Sequence, residues 1–356
     1  MKRFLAILLS ALMVVSMIGC GAKEEAPAKT EAPAKTEAPA KTDAPAKEEA
    51  KDLPSYTLKF GHGNSPDQAV AIYAQEWADA VAAKTDGRIT IEVYPAGQLG
   101  SLEGMLEMVS LGTLDICLGD LSGMVDYLPK TALLAQPFMI SNYDHAAAIV
   151  DGEIGAAMFD ELAEASNLRM LGVMWNGFRN LSTKVPIETV ADCAGIDIRS
   201  PNLDTYLNLL STLGMNPIPI SWGEAYTAIS TGVADAIEDS PEALYTDEFY
   251  RFLPYMSKSN HICSLVGPTI REDLWTEMSA EDQAILMECL DEAIAKQRAA
   301  TIENEEKFYT LLEEGGVTVT EFKDRAKVIE LFTPMWKEFA EGADCVAELE
   351  AIIALS

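Results

Sequence analysis

From residue 58 to 238, short strand-forming runs alternate with helical segments of about 10–15 residues, an order that confines the chain to an α/β architecture built mainly on parallel sheets. Leu58, Lys59 and Phe60 begin a strand, and Pro66 stands where a first helical turn would start. Val70, Tyr73, Trp77 and Val81 follow at helical spacing until Gly87 closes the helix. Ile89, Ile91 and Val93 alternate as a strand, Leu102, Met105 and Val109 mark a helix, and 114–118 is a strand again. Further strands are expected at 168–175, ending in an Asn176-Gly177 turn, at 195–199, and at 234–238. A helix is expected to open at Pro201 with Leu203, Leu207 and Leu210 on one face, and Ser221 with Glu224 spells a capping box for the next. One long helix over 279–314 is stopped by Gly315-Gly316.

The first 52 residues stand outside this pattern. Lys2 and Arg3 precede an apolar run over 4–17, the length of a signal core and short for a spanning helix. The run ends in Ile18-Gly19-Cys20, and this Gly-Cys pair resembles a bacterial lipobox, which implies that Cys20 carries lipid after processing of residues 1–20. An ordinary signal peptide with an incidental cysteine, or an uncleaved anchor, is the alternative. Residues 21–52 repeat Glu-Ala-Pro-Ala-Lys-Thr and hold nothing larger than Lys, so they cannot build a core and are expected to form a disordered leash. At roughly 3 Å per residue its reach approaches ~100 Å, which suits a receptor tethered near a membrane.

About 300 residues from 53 onward suggest two domains. Of 26 basic and 56 acidic residues the first 52 positions carry 8 of each, so the folded part keeps 18 against 48 and the whole net charge of −30. Such an acidic surface disfavours nucleic acid as a partner. Any arginine turned into a cleft would therefore be a dedicated anion site. Beyond Cys20 the cysteines number five with no C-x-x-C pair, and buried free thiols are expected.

In parallel α/β sheets ligands bind beyond the carboxyl ends of the strands. That rule collects Asp120, Arg179, Arg199, Asp239 and the segment His62-Gly63-Asn64, with Trp222 one residue past the Ser221 cap. Arg199 also lies next to the start of the helix expected at Pro201, whose positive end favours an anion. Catalytic chemistry finds no comparable set. His62, His145 and His261 are the histidines, and none stands in a nucleophile–base context. Gly61-His62-Gly63 lacks the third glycine of a dinucleotide loop. Asp235, Glu238 and Asp239 read as a strand-end acid group facing water more readily than as a metal site, His145 as a residue of an exposed helix, and His261 as a satisfied strand residue. No cofactor and no metal is called for.

Taken in order, several stretches give this chain a family likeness. They are Tyr94-Pro-Ala-Gly-Gln-Leu-Gly100, Leu111-Gly-Thr-Leu-Asp115, Gln136-Pro-Phe138, Asn176-Gly-Phe-Arg179, Gly195-Ile-Asp-Ile-Arg199, Pro217-Ile-Pro-Ile-Ser-Trp-Gly-Glu-Ala-Tyr226 and Gly232-Val-Ala-Asp-Ala-Ile-Glu238. Together they resemble the substrate-binding proteins of tripartite ATP-independent periplasmic (TRAP) transporters over 56–345, nearest to the dicarboxylate and sugar-acid binders. The resemblance implies a periplasmic-binding-protein-like fold, two α/β domains around a hinge cleft with a long helix crossing both. Chain crossings near 176, 264 and 304 would divide it into 53–176 plus 265–304 and 177–264 plus 305–356. It also implies a non-enzymatic monomer outside the cytoplasm that hands a small carboxylate to integral-membrane TRAP subunits, driven by an ion gradient. A sensory protein presenting its ligand to a membrane kinase or chemoreceptor is the alternative.

By the same resemblance Arg199 pairs with the ligand carboxylate, Arg179 supports it, Asn202 contacts the ligand and Trp222 forms an aromatic wall. Asp239 stands where the family often has Asn, and Asp120 where some sugar-acid binders have Glu. Each of these two acids is left with two readings, a ligand contact or a partner for the arginines.

Overall fold

The computed structural model describes residues 53–356; the expected signal segment, Cys20 and the repeat leash over 21–52 lie outside the described residues. The first half of the chain forms β1 (Tyr56–Gly61), α1 (Ala69–Lys84), β2 (Ile89–Tyr94), α2 (Leu102–Ser110) and β3 (Ile116–Asp120). It continues through α3 (Tyr143–Val150), α4 (Glu153–Ala165), β4 (Leu168–Met170) and β5 (Met174–Thr183). Then come β6 (Asp197–Ser200), α5 (Asp204–Thr212), β7 (Asn216–Pro219), α6 (Trp222–Thr231), β8 (Ala236–Asp239) and α7 (Pro241–Thr246). The last third comprises β9 (Tyr255–Arg271), α8 (Glu272–Glu277), α9 (Ala280–Glu314), β10 (Thr318–Glu321), α10 (Arg325–Gly342) and α11 (Val346–Ala354).

The ten strands of the described residues share one sheet, ordered β2-β1-β3-β9-β5-β8-β6-β7, with β4 and β10 also pairing to β9. Its flanks are parallel, β1 with β2 and β3 on one side and β6 with β7 and β8 on the other. The middle is antiparallel, where β9 runs against β3, β4 and β5, and β5 against β8. The sheet is thus mixed, with the expected parallel pairing in both flanks and between β10 and β9.

Local sequence explains several departures from expectation. The Asn176-Gly177 pair is no turn; β5 continues through it to Thr183. Gly177 has φ +96°, and the register with β9 shifts between Trp175 and Gly177, so a turn-like dipeptide here makes a β-bulge. A side chain there would strain the backbone and bring a Cβ within 2.9 Å of Ser240 Cβ. The helix expected at Pro201 starts at Asp204, because Leu203 keeps an extended backbone and serves as N-cap. Pro201, Asn202 and Leu203 are thereby left as a short non-helical segment with a bend at Asn202. Ser221 does precede α6, but its hydroxyl bonds the Glu224 carboxylate at 2.5 Å and makes no hydrogen bond to the backbone.

The long helix forms as its boundaries predict. Ser279 caps α9 by accepting from the Asp282 N–H at 3.1 Å, and Gly315 ends it after 35 residues. At 1.5 Å per residue it spans roughly 50 Å. Its early residues Leu286, Leu290 and Ile294 pack with Trp77 and Phe60 of α1 and β1. Its late residues Tyr309 and Leu312 pack with Ile229 and Leu244 of α6 and α7. The fully buried Trp77 also donates from Nε1 to the Leu286 carbonyl at 3.0 Å, fixing α1 against α9.

His145 is not on an exposed helix face. It is buried in α3, with Nε2 3.0 Å from the Ile352 carbonyl of α11 and Nδ1 3.2 Å from the Ser141 N–H. Cys117, Cys193, Cys263, Cys289 and Cys345 are all free and buried. Among the described residues no helix is long and apolar enough to cross a membrane.

Candidate functional site

The carboxyl ends of β3, β6 and β8 and the middle of β5 open on one cavity of about 640 Å³. Arg179, Arg199, Asp120 and Asp239 line it from these strands. Asn202 lines it from the short segment before α5, Trp222 from the first turn of α6, and Asn64 and Gly63 from the loop after β1. His62 does not line it. Its ring is fully buried, 5.6 Å from that of Phe60, and burial lowers its pKa to about 4, so it stays neutral and out of reach of a ligand.

The two arginines differ in kind. Arg179 is held by Glu238, with Nε 2.5 Å from Oε2 and Nη2 2.7 Å from Oε1, and Nη2 lies 3.0 Å from Asp239 Oδ2. Its Nη2 also donates to the Glu238 carbonyl at 2.8 Å. Burial disfavours its charge, but Asp239 and Glu238 outweigh that and hold its pKa well above the ordinary arginine value. Arg199 is equally buried, yet among the described residues no carboxylate lies within 4.0 Å of it. Nε donates to the Ile220 carbonyl at 2.8 Å, and the Trp222 ring lies 5.2 Å from the guanidinium carbon. Burial lowers its pKa to about 10, with Glu238 opposing and Arg179 adding to the effect, so it remains cationic at neutral pH. A buried guanidinium that faces a cavity and has no carboxylate in contact has the chemistry to accept an anion.

The acids are equally specific. Glu238 and Asp239 do not face water as the sequence suggested; both are buried, and only Asp235 is exposed, paired with Lys184. His261 is satisfied within β9, its Nε2 3.1 Å from Glu238 Oε2 and its Nδ1 2.8 Å from Ser259 Oγ. Asp239 uses Oδ1 to accept from the Ser240 N–H at 2.7 Å and Oδ2 for Arg179. Asp120 uses Oδ1 for the Ser122 N–H at 2.8 Å and for the Ser122 hydroxyl, and it makes no ion pair within 4.0 Å among the described residues. Burial raises its pKa against those hydrogen bonds. Ser264 Oγ, buried and without a partner among the described residues, adds a further polar group to the wall.

Sequence reasoning missed Ser264, Gln68, Asn176 and Tyr206 as lining residues. Tyr206 stacks its ring 5.0 Å from the Arg179 guanidinium carbon. Strand-end logic could not reach Ser264, which sits mid-strand in β9.

Opposite shifts at two adjacent carboxyls set a pH dependence. Burial works against ionisation of Glu238, but the charge of Arg179 and hydrogen bonds from Arg179 and His261 hold its pKa down to about 2. Its stabilisation is complete above about 4.5 and disappears as pH falls towards 2. Burial pushes Asp239 up to about 6 against the pull of Arg179, so its contribution is full below about 3.8 and is lost as pH rises through 6. Ligand-free protein should therefore reach its highest denaturation midpoint in a window at about pH 3.8 to 4.5 and decline from there to about pH 6. Asp239→Asn should flatten the decline on the neutral side of that window, and an unchanged profile in the variant would contradict the assignment.

A sequence model of bacterial extracellular solute-binding protein family 7 matches residues 60–342. The chain belongs to this family, and it is a TRAP-type substrate-binding protein that acts outside the cytoplasm in solute transport. It is 27% identical over 299 residues to the sialic acid-binding periplasmic protein SiaP of Vibrio cholerae, covering 83% of this chain and 92% of the relative. A solute-binding protein of Roseobacter denitrificans with bound L-galactonate matches in structure with a TM-score of 0.76 at 27% identity, covering 85% and 99% of the two chains. The sugar acid binding protein of Advenella mimigardefordensis in complex with galactonate matches with a TM-score of 0.80 at 25% identity, covering 85% and 98%.

Proposed function

We propose that the protein captures a hydroxylated monocarboxylate of sugar-acid size and delivers it unaltered, as a monomer, to TRAP membrane subunits. Arg199 carries this reading: its buried cation has no carboxylate partner, and a ligand carboxylate would supply one through two parallel charge-assisted hydrogen bonds. Trp222 would cover that contact, and Asn202 and Asn64 would offer amide groups along the ligand. Arg179, neutralised by Glu238 and Asp239, would shape the wall and support the anion from a distance. Asp120 and Asp239 would accept from hydroxyl or amino groups, and a second ligand carboxylate beside them would meet like charge. Galactonate and L-galactonate in the structural relatives have the size and chemistry this requires, and about 640 Å³ lies in the usual range for a small-molecule site.

Closure would bring 53–176 plus 265–304 against 177–264 plus 305–356, with β5, β9 and α9 as the connections. Lipid on Cys20 and the leash over 21–52 would hold the receptor at the membrane, and Cys20→Ala should then move the protein from the membrane to the soluble fraction. Native mass spectrometry of protein purified without added ligand tests the cargo. The expected adduct is a hydroxylated monocarboxylate, and calorimetry should show galactonate binding at least about tenfold tighter than succinate. An adduct lacking any carboxylate, or succinate binding as tightly as every hydroxylated acid tried, would overturn the reading.

A further inference from the structure

Two walls of the cavity are tied together by a carboxylate that the ligand reading does not use. Asp247 follows α7 and sits half-buried at the edge of the cavity. Its Oδ2 accepts from Trp222 Nε1 at 3.1 Å and from Gln68 Nε2 at 3.1 Å, and its Oδ1 accepts from the Ser65 hydroxyl. Trp222 belongs to the wall that carries Arg199, whereas Ser65 and Gln68 precede α1 on the wall that carries Asn64. The connection runs further: Gln68 Oε1 accepts from Asn64 Nδ2 at 2.7 Å, and the same nitrogen lies 2.8 Å from Asn176 Oδ1. Beside it, Glu242 of α7 accepts from the Ala69 N–H at 3.1 Å, at the N-terminus of α1 where a carboxylate is favoured.

None of these bonds needs a ligand atom. Every donor and acceptor is a protein group, and the bonds of Asp247 with Ser65 and Gln68 and of Glu242 with Ala69 would separate if the two walls moved apart. We propose that Asp247 is a closure latch, a positioning residue that biases the cavity towards its closed form without ligand and sets the Trp222 ring across the Arg199 guanidinium. The proposal rests on the reading of the cavity as a closing ligand site. It assigns Asp247 to retention of the ligand and leaves selection to Arg199, Asp120 and Asp239. Hydrogen bonds to an ionised acceptor are stronger than neutral ones, so one carboxylate serving two donors on the opposite wall can bias an equilibrium between two arrangements.

Small-angle scattering of the ligand-free mature protein tests the latch apart from the identity of the ligand. Asp247→Ala should enlarge the radius of gyration relative to the parent, and Asp235→Ala, an exposed residue paired with Lys184, should not. Ser65→Ala removes a donor from the opposite wall and should shift scattering in the same direction, which covers the case in which Asp247→Ala folds poorly. With D-galactonate as probe, Asp247→Ala should release it about tenfold faster or more, while the affinity ratio of galactonate to glucuronate stays that of the parent. If parent, Asp247→Ala and Ser65→Ala scatter identically, the latch is wrong whatever galactonate does. A changed affinity ratio with unchanged scattering would also overturn it, by making Asp247 a ligand contact. If galactonate fails to bind the parent while the scattering shift occurs, the latch stands and the proposed cargo falls.

Discussion

Arg199→Ala should cut ligand affinity by roughly 30-fold to several thousand-fold, the equivalent of about 2–5 kcal/mol, while the protein stays folded. The ligand carboxylate has to leave water to enter the cavity, and only a matched cationic partner offsets that loss. Arg179 cannot take over, because its Nε and Nη2 already serve Glu238 and Asp239. Arg199→Lys keeps the charge but not the planar fork, and it also loses the guanidinium face that lies 5.2 Å from the Trp222 ring. It should bind much more weakly than the parent as well. Folding should be unharmed or improved, since the native state buries this cation without a carboxylate. Calorimetry with circular dichroism as a folding control decides the matter, and Arg199→Lys binding within about threefold of the parent would show that charge alone suffices.

Glu238→Ala should be the most destabilising single change at the site, at about 3–5 kcal/mol. Glu238 is fully buried and accepts from both Arg179 and His261, so its removal strands a buried guanidinium and leaves an imidazole short of a partner. In a domain of this size that corresponds to a fall in melting temperature of roughly 6 °C or more. Glu238→Gln should cost less, because the amide still accepts one hydrogen bond and preserves the packing. Urea unfolding of the two variants checks both figures. A loss below about 1 kcal/mol for Glu238→Ala would mean that Asp239 alone keeps Arg179 satisfied.

What could be read in the sequence was local. Ser279 and Gly315-Gly316 bracket α9 because capping chemistry acts within one turn, and strand-end placement found Asp120, Arg199 and Asp239 because parallel flanks do deliver their carboxyl ends to one cleft, whereas Arg179 lines it from the middle of the antiparallel β5. What could not be read depends on distant partners. Glu238 looks like an exposed acid until β5 brings Arg179, 59 residues away, to its carboxylate. His145 looks solvent-facing until α11 arrives from 207 residues away. The strand β9 is legible only around His261, because its first half, with Lys258 and Asn260, has no apolar period, and pairing with β5 and β10 supplies its order. The Asn176-Gly177 signal was real as a demand for positive φ, but a bulge meets that demand as well as a turn does.

A ligand carboxylate held by Arg199 should provide most of the discrimination of this receptor. Calorimetry on the parent protein with matched pairs tests it most directly, each hydroxylated acid set against the alcohol in which a CH2OH group replaces the carboxylate, as galactonate against galactitol. Any acid that binds should lose at least about 100-fold in its alcohol, close to 3 kcal/mol, and the same pair should differ little in Arg199→Ala. An alcohol that binds the parent as tightly as its acid would contradict it.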